Sequence, residues 1–367
     1  MKTALVHDWL YTFAGAEMVL KHISKSFDQP DLFVMFDFLD AKKYFNVNKT
    51  HKSFIQSLPF LKKDHRKFLP LMPLALQRMN VSDYDLVISS SHAVAKGIST
   101  RKDQLHICYI HTPMRYAWDM RDQYLDAAGF RGFKRYILKY ILNRLKKWDY
   151  DNTDSVDYFI ANSKFIQKRV KDCYGRNSTV IYPPVDIDSL IICEKKENYY
   201  LTASRLVPYK KIDLIVKVFN NLKDKKLIVV GDGPDYERIK NIAGKNVELL
   251  GYLKRDKLID YMRKAKAFVF AAKEDFGILP VEAQACGTPV IAYGEGGALE
   301  TVLDEKTGLF FYDQTADSLT NAIENFENLQ DEFDPKAIRT NAERFSDKIF
   351  MNEFNTFINQ KYLKFRN

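Results

Sequence analysis

Short apolar runs of strand length alternate with helically patterned stretches along the chain, and the alternation occurs twice. In the first half the runs are TALVHDW (3–9), DLFVMF (31–36), DLVISSS (85–91), LHICYIH (105–111), VDYFIANS (156–163) and STVIYPP (178–184). Between the first two, AEMVLKHISKSF places apolar residues at helical spacing. The second half repeats the scheme with NYYLTAS (198–204), KKLIVVG (225–231), VELLGYL, AFVFAA, PVIAYG and GLFFY, with helical stretches such as DLIVKVFNNL and DYERIKNIA between them. Runs this short, β-rich and without polar alternation fit strands buried on both faces, as in parallel sheets covered by helices. The pattern predicts an α/β fold of two Rossmann-like doubly wound domains. The prolines of YPPVDIDSL (182–190) stop regular structure between the halves. That gives domains at 1–183 and 184–345, followed by a terminal segment at 346–367. Ligands of such sheets bind at the carboxyl ends of the strands, so two sheets facing each other would enclose an interdomain cleft.

A length of 367 residues suits two or three domains, and a 46% hydrophobic content supplies their cores. The net charge of +9 suits an anionic substrate, an anionic membrane surface or nucleic acid. Cys108, Cys173, Cys193 and Cys286 have neither Cys-x-x-Cys nor zinc-ligand spacing, so free thiols in a reducing compartment are expected. The start MKTALVHDWL is too short and too polar for a signal peptide, and no run of apolar residues is long enough to span a bilayer. A cytoplasmic protein is expected, peripheral on a membrane at most.

The most informative string is KEDFGILPVEAQACGTPVIAYGEGG (273–297), in which seven residues separate Glu274 from Glu282. SRLVPYKKIDLIV (204–216) precedes it, with VVGDGPDYERI between, and the first half carries HDWLYTFAGAE and HTPMRYAWD. Together these strings resemble the retaining GT-B glycosyltransferases of family 4 (group 1). The closest resemblance is to bacterial O-antigen and capsule mannosyltransferases, and it extends over nearly the whole chain. It implies an acceptor-side amino-terminal domain, a nucleotide-sugar donor domain at 184–345, and a terminal helix packed back onto the first domain.

The chemistry such an enzyme needs fits these residues. As the glycosidic bond breaks, charge grows on the leaving diphosphate, and cations or amide dipoles must stabilise it. Arg205 and Lys210 stand just past a strand end, where a planar fork and a point charge would clamp the phosphates. Lys211 is the rival of Lys210, and family spacing favours the latter. Phe276, Gly277, Ile278 and Leu279 form a turn before the helix PVEAQACG, so their amides suit an anion, and Gly277 permits close approach. By the resemblance Glu282 accepts the ribose hydroxyls and Glu274 lies near the transferred sugar. Gly231 and Asp232 line the nucleotide pocket, and Tyr252 in GYLKRDKL lies near the base. His111, at a strand end, matches the family's sugar-binding histidine, and Arg115, Tyr116 and Trp118 follow it, either as acceptor contacts forming a sugar platform or as ordinary packing residues. Asp8, Gly15 and Ala16 are expected to face donor phosphate and acceptor. Here FAGAE has a single glycine where the family has a pair, which changes the backbone approach in that loop.

Two stretches invite a lipid surface. RGFKRYILKYILNRLKKW (131–148) has seven basic and no acidic residues, with Phe133, Ile137, Tyr140, Ile141, Leu145 and Trp148 at helical spacing. The alternative is an ordinary helix packing its apolar face on its own domain. LPFLKKDHRKFLPLMPLALQRM (58–79) mixes basic and apolar residues in the same way. The placement suits a lipid-linked glycan acceptor, and no nucleic-acid motif accompanies the charge.

No metal or other cofactor is expected, because no Asp-x-Asp string follows a strand as a metal-dependent transferase requires. The reading is therefore a retaining hexosyltransferase of surface polysaccharide synthesis, with GDP-mannose as leading donor. A UDP-sugar donor, a sugar-nucleotide epimerase on the same fold and a non-catalytic partner subunit are the alternatives. A dehydrogenase is disfavoured because neither half has the dinucleotide fingerprint after its first strand.

Overall fold

The computed structural model describes residues 1–119, 121, 125 and 132–367, in two compact units. The first unit comprises Met1–Pro184 and Phe350–Asn367, and the second Val185–Ile349.

Seven parallel strands form the sheet of the first unit: β1 (Thr3–His7), β2 (Asp31–Val34), β3 (Thr50–Lys52), β4 (Leu86–Ser91), β5 (Leu105–Ile110), β6 (Tyr158–Ala161) and β7 (Ser178–Val180). Their spatial order is β3-β2-β1-β4-β5-β6-β7, so the winding reverses between β1 and β4. Every residue of β1, β4 and β5 is buried, which is why these strands read as unbroken apolar runs. The edge strand β3 is the one the apolar pattern missed, because Thr-His-Lys has no fully buried residue. Helices α1 (Gly15–Lys25), α2 (Met72–Gln77), α3 (Gly132–Asp151) and α4 (Lys164–Tyr174) accompany this sheet.

The helical spacing of 131–148 becomes α3, whose two ends behave differently. Near its carboxyl end Ile141, Leu142, Leu145 and Trp148 pack into one apolar cluster with Leu69, Met72 and Leu76 of the second basic stretch. Near its amino end Phe133, Tyr136 and Tyr140 are 77%, 71% and 57% exposed. Packing thus describes the carboxyl-terminal half of the helix, and the amino-terminal half presents exposed aromatic rings. Arg131, the first residue of the predicted stretch, lies outside the described residues.

The sheet of the second unit contains β8 (Tyr200–Ala203), β9 (Leu227–Val230), β10 (Val247–Gly251), β11 (Ala267–Phe270), β12 (Val290–Tyr293) and β13 (Gly308–Phe311). All are parallel, in the order β10-β9-β8-β11-β12-β13, with the reversal between β8 and β11. Its helices are α5 (Ile212–Asn221), α6 (Tyr236–Ile242), α7 (Arg255–Lys264), α8 (Ile278–Ala285), α9 (Ala298–Thr301), α10 (Ala316–Leu329) and α11 (Pro335–Glu343). Helix α12 (Asp347–Arg366) follows. From Phe350 onward its residues belong to the first unit, where Phe350, Phe354, Phe357 and Ile358 are buried with Leu20, Tyr109 and Ile181. Both sheets thus have a topological switch point, the place where open α/β sheets bind ligands beyond the strand ends.

Candidate functional site

In the first unit, the switch point brings the end of β1 beside the end of β4, with His7 directly paired to Ser90. Asp8 follows at once and is fully buried. Its Oδ2 accepts the backbone N–H groups of His92 (2.6 Å) and Ala93 (3.0 Å), and its Oδ1 those of Val94 (2.6 Å) and Ala95 (2.7 Å). The His92 ring lies 3.0 Å away through Nδ1. Burial alone would raise the Asp8 carboxyl. His92 and His7 beside it hold it well below the usual carboxylate range instead. The same proximity to Asp8 and Glu17 raises His92 against the opposing effect of its burial.

The sequence expectation that Asp8 itself touches substrate is corrected by this geometry. Both oxygens are occupied by the loop 92–95, so Asp8 positions that loop. Glu17 also turns inward, accepting the N–H of Ala14 at 2.9 Å and lying 3.7 Å from His7 Nε2. Burial works to raise Glu17, but His7 and His92 leave it lowered. Gly15 and Ala16, half-buried, begin α1 just before it.

His111 follows β5, with Nε2 2.9 Å from Ser90 Oγ and its ring tilted against Tyr109 at 5.2 Å. Burial, together with the charges of His92 and His7, pushes His111 well below its ordinary value, with Asp8 opposing, so the ring is neutral. Arg115 and Tyr116 follow half-buried. Trp118 does not present a free sugar platform. Its Nε1–H donates to Asp149 Oδ2 at 2.8 Å, and its ring packs edge-on to Tyr174 with Lys146 4.2 Å from its centroid. Asp149 is itself fully buried, pairs with buried Lys96 at 2.8 Å and accepts the Tyr174 hydroxyl at 2.7 Å. Trp118 is thus part of an internal polar cluster.

In the second unit, three loops meet beyond β8, β9 and β11. Arg205 follows β8 by two residues, and its exposed guanidinium has no partner among the described residues. The loop is held by Gly231-Asp232-Gly233 after β9, where Leu206 N–H donates to Asp232 O at 2.9 Å. A Cβ on Gly231 (φ +138°) would lie 1.8 Å from Ser204 O, so only glycine fits. Lys210 pairs with Glu274 through Nζ and Oε1. Lys211 instead adopts a left-handed conformation (φ 56°) as the cap of α5. The structure therefore joins Lys210, not its neighbour, to the first glutamate of the motif.

The Glu274 backbone is fixed by the glycines that end the same string. Gly297 N–H donates to Glu274 O at 2.9 Å, and a Cβ on Gly297 would fall 2.3 Å from Phe276 Cα. Phe276 is buried edge-on against Phe345, so its side chain anchors the turn and only its backbone is available. Gly277 (φ 90°) opens α8, and the N–H groups of Gly277, Ile278 and Leu279 have no acceptor among the described residues. Glu282 is buried one turn further on, with Oε1 2.6 Å from Arg255 Nη1. Burial raises Glu282, with Arg255 opposing. Tyr252 is 78% exposed on the loop after β10.

Sequence reasoning missed His7, Ser90, His92 and Arg255. The dipeptides His7-Asp8 and Ser91-His92 were visible as polar ends of apolar strands. Their convergence depends on β1 and β4 being neighbours, which no local pattern reveals. Arg255 lay within GYLKRDKL, and a lysine-rich loop gives no sign of which cation turns inward.

Residues 13–189 match the family model described as Glycosyltransferase Family 4, and residues 192–345 match that described as Glycosyl transferases group 1. An uncharacterized glycosyltransferase of Methanocaldococcus jannaschii is 31% identical over 58% of this chain and 60% of that protein. A GDP-mannose-dependent monoacylated alpha-(1-6)-phosphatidylinositol monomannoside mannosyltransferase of Corynebacterium glutamicum is 30% identical over 46% of this chain and 52% of its own. The chain thus spans about half to three-fifths of the length of these curated relatives. The crystal structure of Anabaena HepE in complex with UDP and glucose superposes with a TM-score of 0.69, covering 97% of this chain and 99% of that one at 19% identity. At that identity the likeness establishes the two-domain fold.

Proposed function

Since the chain belongs to the family 4, group 1 glycosyltransferases, with a matched domain in each half, we propose that it transfers a hexose from a nucleotide sugar with retention of anomeric configuration. The observation that carries this is the arrangement beyond β8 and β11. Arg205 and three amides at the start of α8, all without a partner among the described residues, would together with the Lys210–Glu274 pair make an anion site. A diphosphate leaving group would be held there by cations and amide dipoles, without a metal ion. The acceptor hydroxyl would attack on the face from which the diphosphate departs, and the departing phosphate oxygen would take its proton. Glu282 would accept the ribose hydroxyls, and Tyr252 would lie by the base.

GDP-mannose is the leading donor, supported by the curated mannosyltransferase relatives whose names specify it. A UDP-sugar is the second reading, supported by structural neighbours solved with UDP or UDP-glucose. The acceptor we propose is a lipid-linked glycan or oligosaccharide of surface polysaccharide synthesis, met at the cytoplasmic face of a membrane. No helix among the described residues is long and apolar enough to cross a bilayer. The exposed aromatic end of α3, with Lys134 and no acidic residue in its first four turns, suits peripheral contact with anionic lipid.

The test is donor binding and turnover across a panel of nucleotide sugars. A melting shift with GDP-mannose, together with release of GDP, supports the leading reading. A shift with a UDP-sugar alone transfers the proposal to that donor, and no shift with any nucleotide sugar refutes it. Arg205→Ala and Lys210→Ala should each cost about 2–4 kcal/mol of transition-state stabilisation. Normal turnover in either variant removes the phosphate clamp.

A further inference from the structure

We infer that Ser90 fixes His111 in the tautomer that carries its proton on Nδ1, so that the imidazole offers a hydrogen-bond donor at its unpartnered nitrogen. The inference rests on the proposed role of His111 for its functional meaning, but its geometry stands independently.

The argument follows the protons. His7 Nδ1 lies 3.1 Å from Ser90 O and 3.1 Å from Ser90 Oγ. A backbone carbonyl can only accept, so His7 Nδ1 bears a proton and donates toward Ser90. The Ser90 hydroxyl therefore cannot donate to His7. Its other partner among the described residues is His111 Nε2, at 2.9 Å. Ser90 is fully buried, so water does not supply an alternative acceptor. The hydroxyl proton must go to His111 Nε2, which is then a bare acceptor, and the proton of the neutral ring resides on Nδ1.

His7 also has a carboxylate beside it. Its Nε2 faces Glu17 Oε1 at 3.7 Å, and Glu17 accepts the Ala14 N–H at the start of α1. His7 and Ser90 thus form a hydrogen-bonded series that ends on His111, with the Glu17 carboxylate beside His7. Among the described residues no polar group engages His111 Nδ1. With its proton there, His111 donates to an oxygen and cannot serve as a general base through that nitrogen. A neutral donor is the chemistry that recognises a sugar hydroxyl or ring oxygen, and it complements a mechanism in which the leaving phosphate takes the acceptor proton. Ser90 is accordingly a positioning residue: it acts on substrate only through His111.

The experiment is two-bond ¹⁵N–¹H correlation spectroscopy on the full chain labelled with ¹⁵N-histidine, with His111→Gln identifying the His111 signals. The expected result is a pyrrole-type Nδ1 and a pyridine-type Nε2. Ser90→Ala should move protonation toward Nε2 and lower kcat about tenfold, the loss of one well-placed hydrogen bond. Ser90→Thr, which keeps the hydroxyl, should restore both. A pyrrole-type Nε2 in the unaltered protein overturns the inference, as does a Ser90→Ala spectrum identical to it. If the Nδ1–H form is observed but His111→Gln turns over nucleotide sugar normally, the tautomer assignment stands and the sugar-contact reading of His111 fails.

Discussion

Replacing Asp8 by Asn tests whether the amino-terminal half of the site is organised around a single buried carboxylate. Asp8 accepts four backbone N–H groups between 2.6 and 3.0 Å and faces His92. An asparagine keeps the volume but has one accepting oxygen, so one pair of amides must confront an NH₂ group. Two charge-assisted hydrogen bonds of about 1.5–3 kcal/mol each are lost. Relaxation of the loop 92–95 should place the net cost near the lower end, about 3 kcal/mol. For a unit of roughly two hundred residues, each kcal/mol shifts the midpoint by about 2–4 °C. The expected drop is therefore about 6–12 °C, read by calorimetry. The pH dependence gives a second check. Asp8 is depressed, so its contribution is present above the ordinary carboxyl value of 3.8 and is lost as pH falls through its folded value. His92 is raised, so its contribution is present below 6.5 and is lost as pH rises through its folded value. Asp8→Asn should flatten that alkaline loss as well. A midpoint within about 1 °C of the unaltered protein would refute the reasoning, since no four-amide acceptor could be so cheaply removed.

Glu282→Gln should separate stability from binding. Its folded value lies above the ordinary 4.5, so its ionised form costs stability at neutral pH, and the neutral isostere should raise the melting temperature. The same change should weaken nucleotide-sugar binding about tenfold by isothermal titration, through loss of a charged acceptor. Gly231→Ala must displace the Ser204 carbonyl, which a Cβ would meet at 1.8 Å, and should cost about 1–3 kcal/mol by urea denaturation. Phe133→Ser combined with Tyr136→Ser should abolish co-flotation with anionic phospholipid vesicles while leaving turnover on a soluble acceptor unchanged. Retained flotation would remove α3 as the membrane contact.

Strand–helix alternation made both sheets legible in the sequence, because parallel strands buried on both faces are apolar throughout. The polar edge strand Thr50–Lys52 escaped for the complementary reason. The site was legible where its residues are close in sequence. Glu274 through Glu282 share one turn and one helix, so a single string contains them. Side-chain direction was not legible. Asp8 directly follows β1 and Trp118 lies eight residues past β5, yet Trp118 donates inward to Asp149, and the Asp8 oxygens are filled by the backbone amides they accept from. Spacing places a residue near a strand end but does not say whether a buried partner already claims its polar atoms.

That distinction sets the groups of the two units apart on physical grounds. In the first unit the carboxylates Asp8 and Glu17 each face a histidine, and His111 is neutral, so a neutral hydrogen-bond donor is what remains. In the second unit an exposed guanidinium and the open amides of Gly277–Leu279 remain without acceptors among the described residues. A nucleotide sugar has an anionic diphosphate and a neutral hexose. Uncompensated positive potential suits the first, and a buried neutral donor suits the second, because burying a further charge beside Asp8 and Glu17 would incur a desolvation cost that a hydroxyl does not. Under the proposed function, the cations and amides of the second unit suit a diphosphate, and His111 of the first suits a sugar hydroxyl.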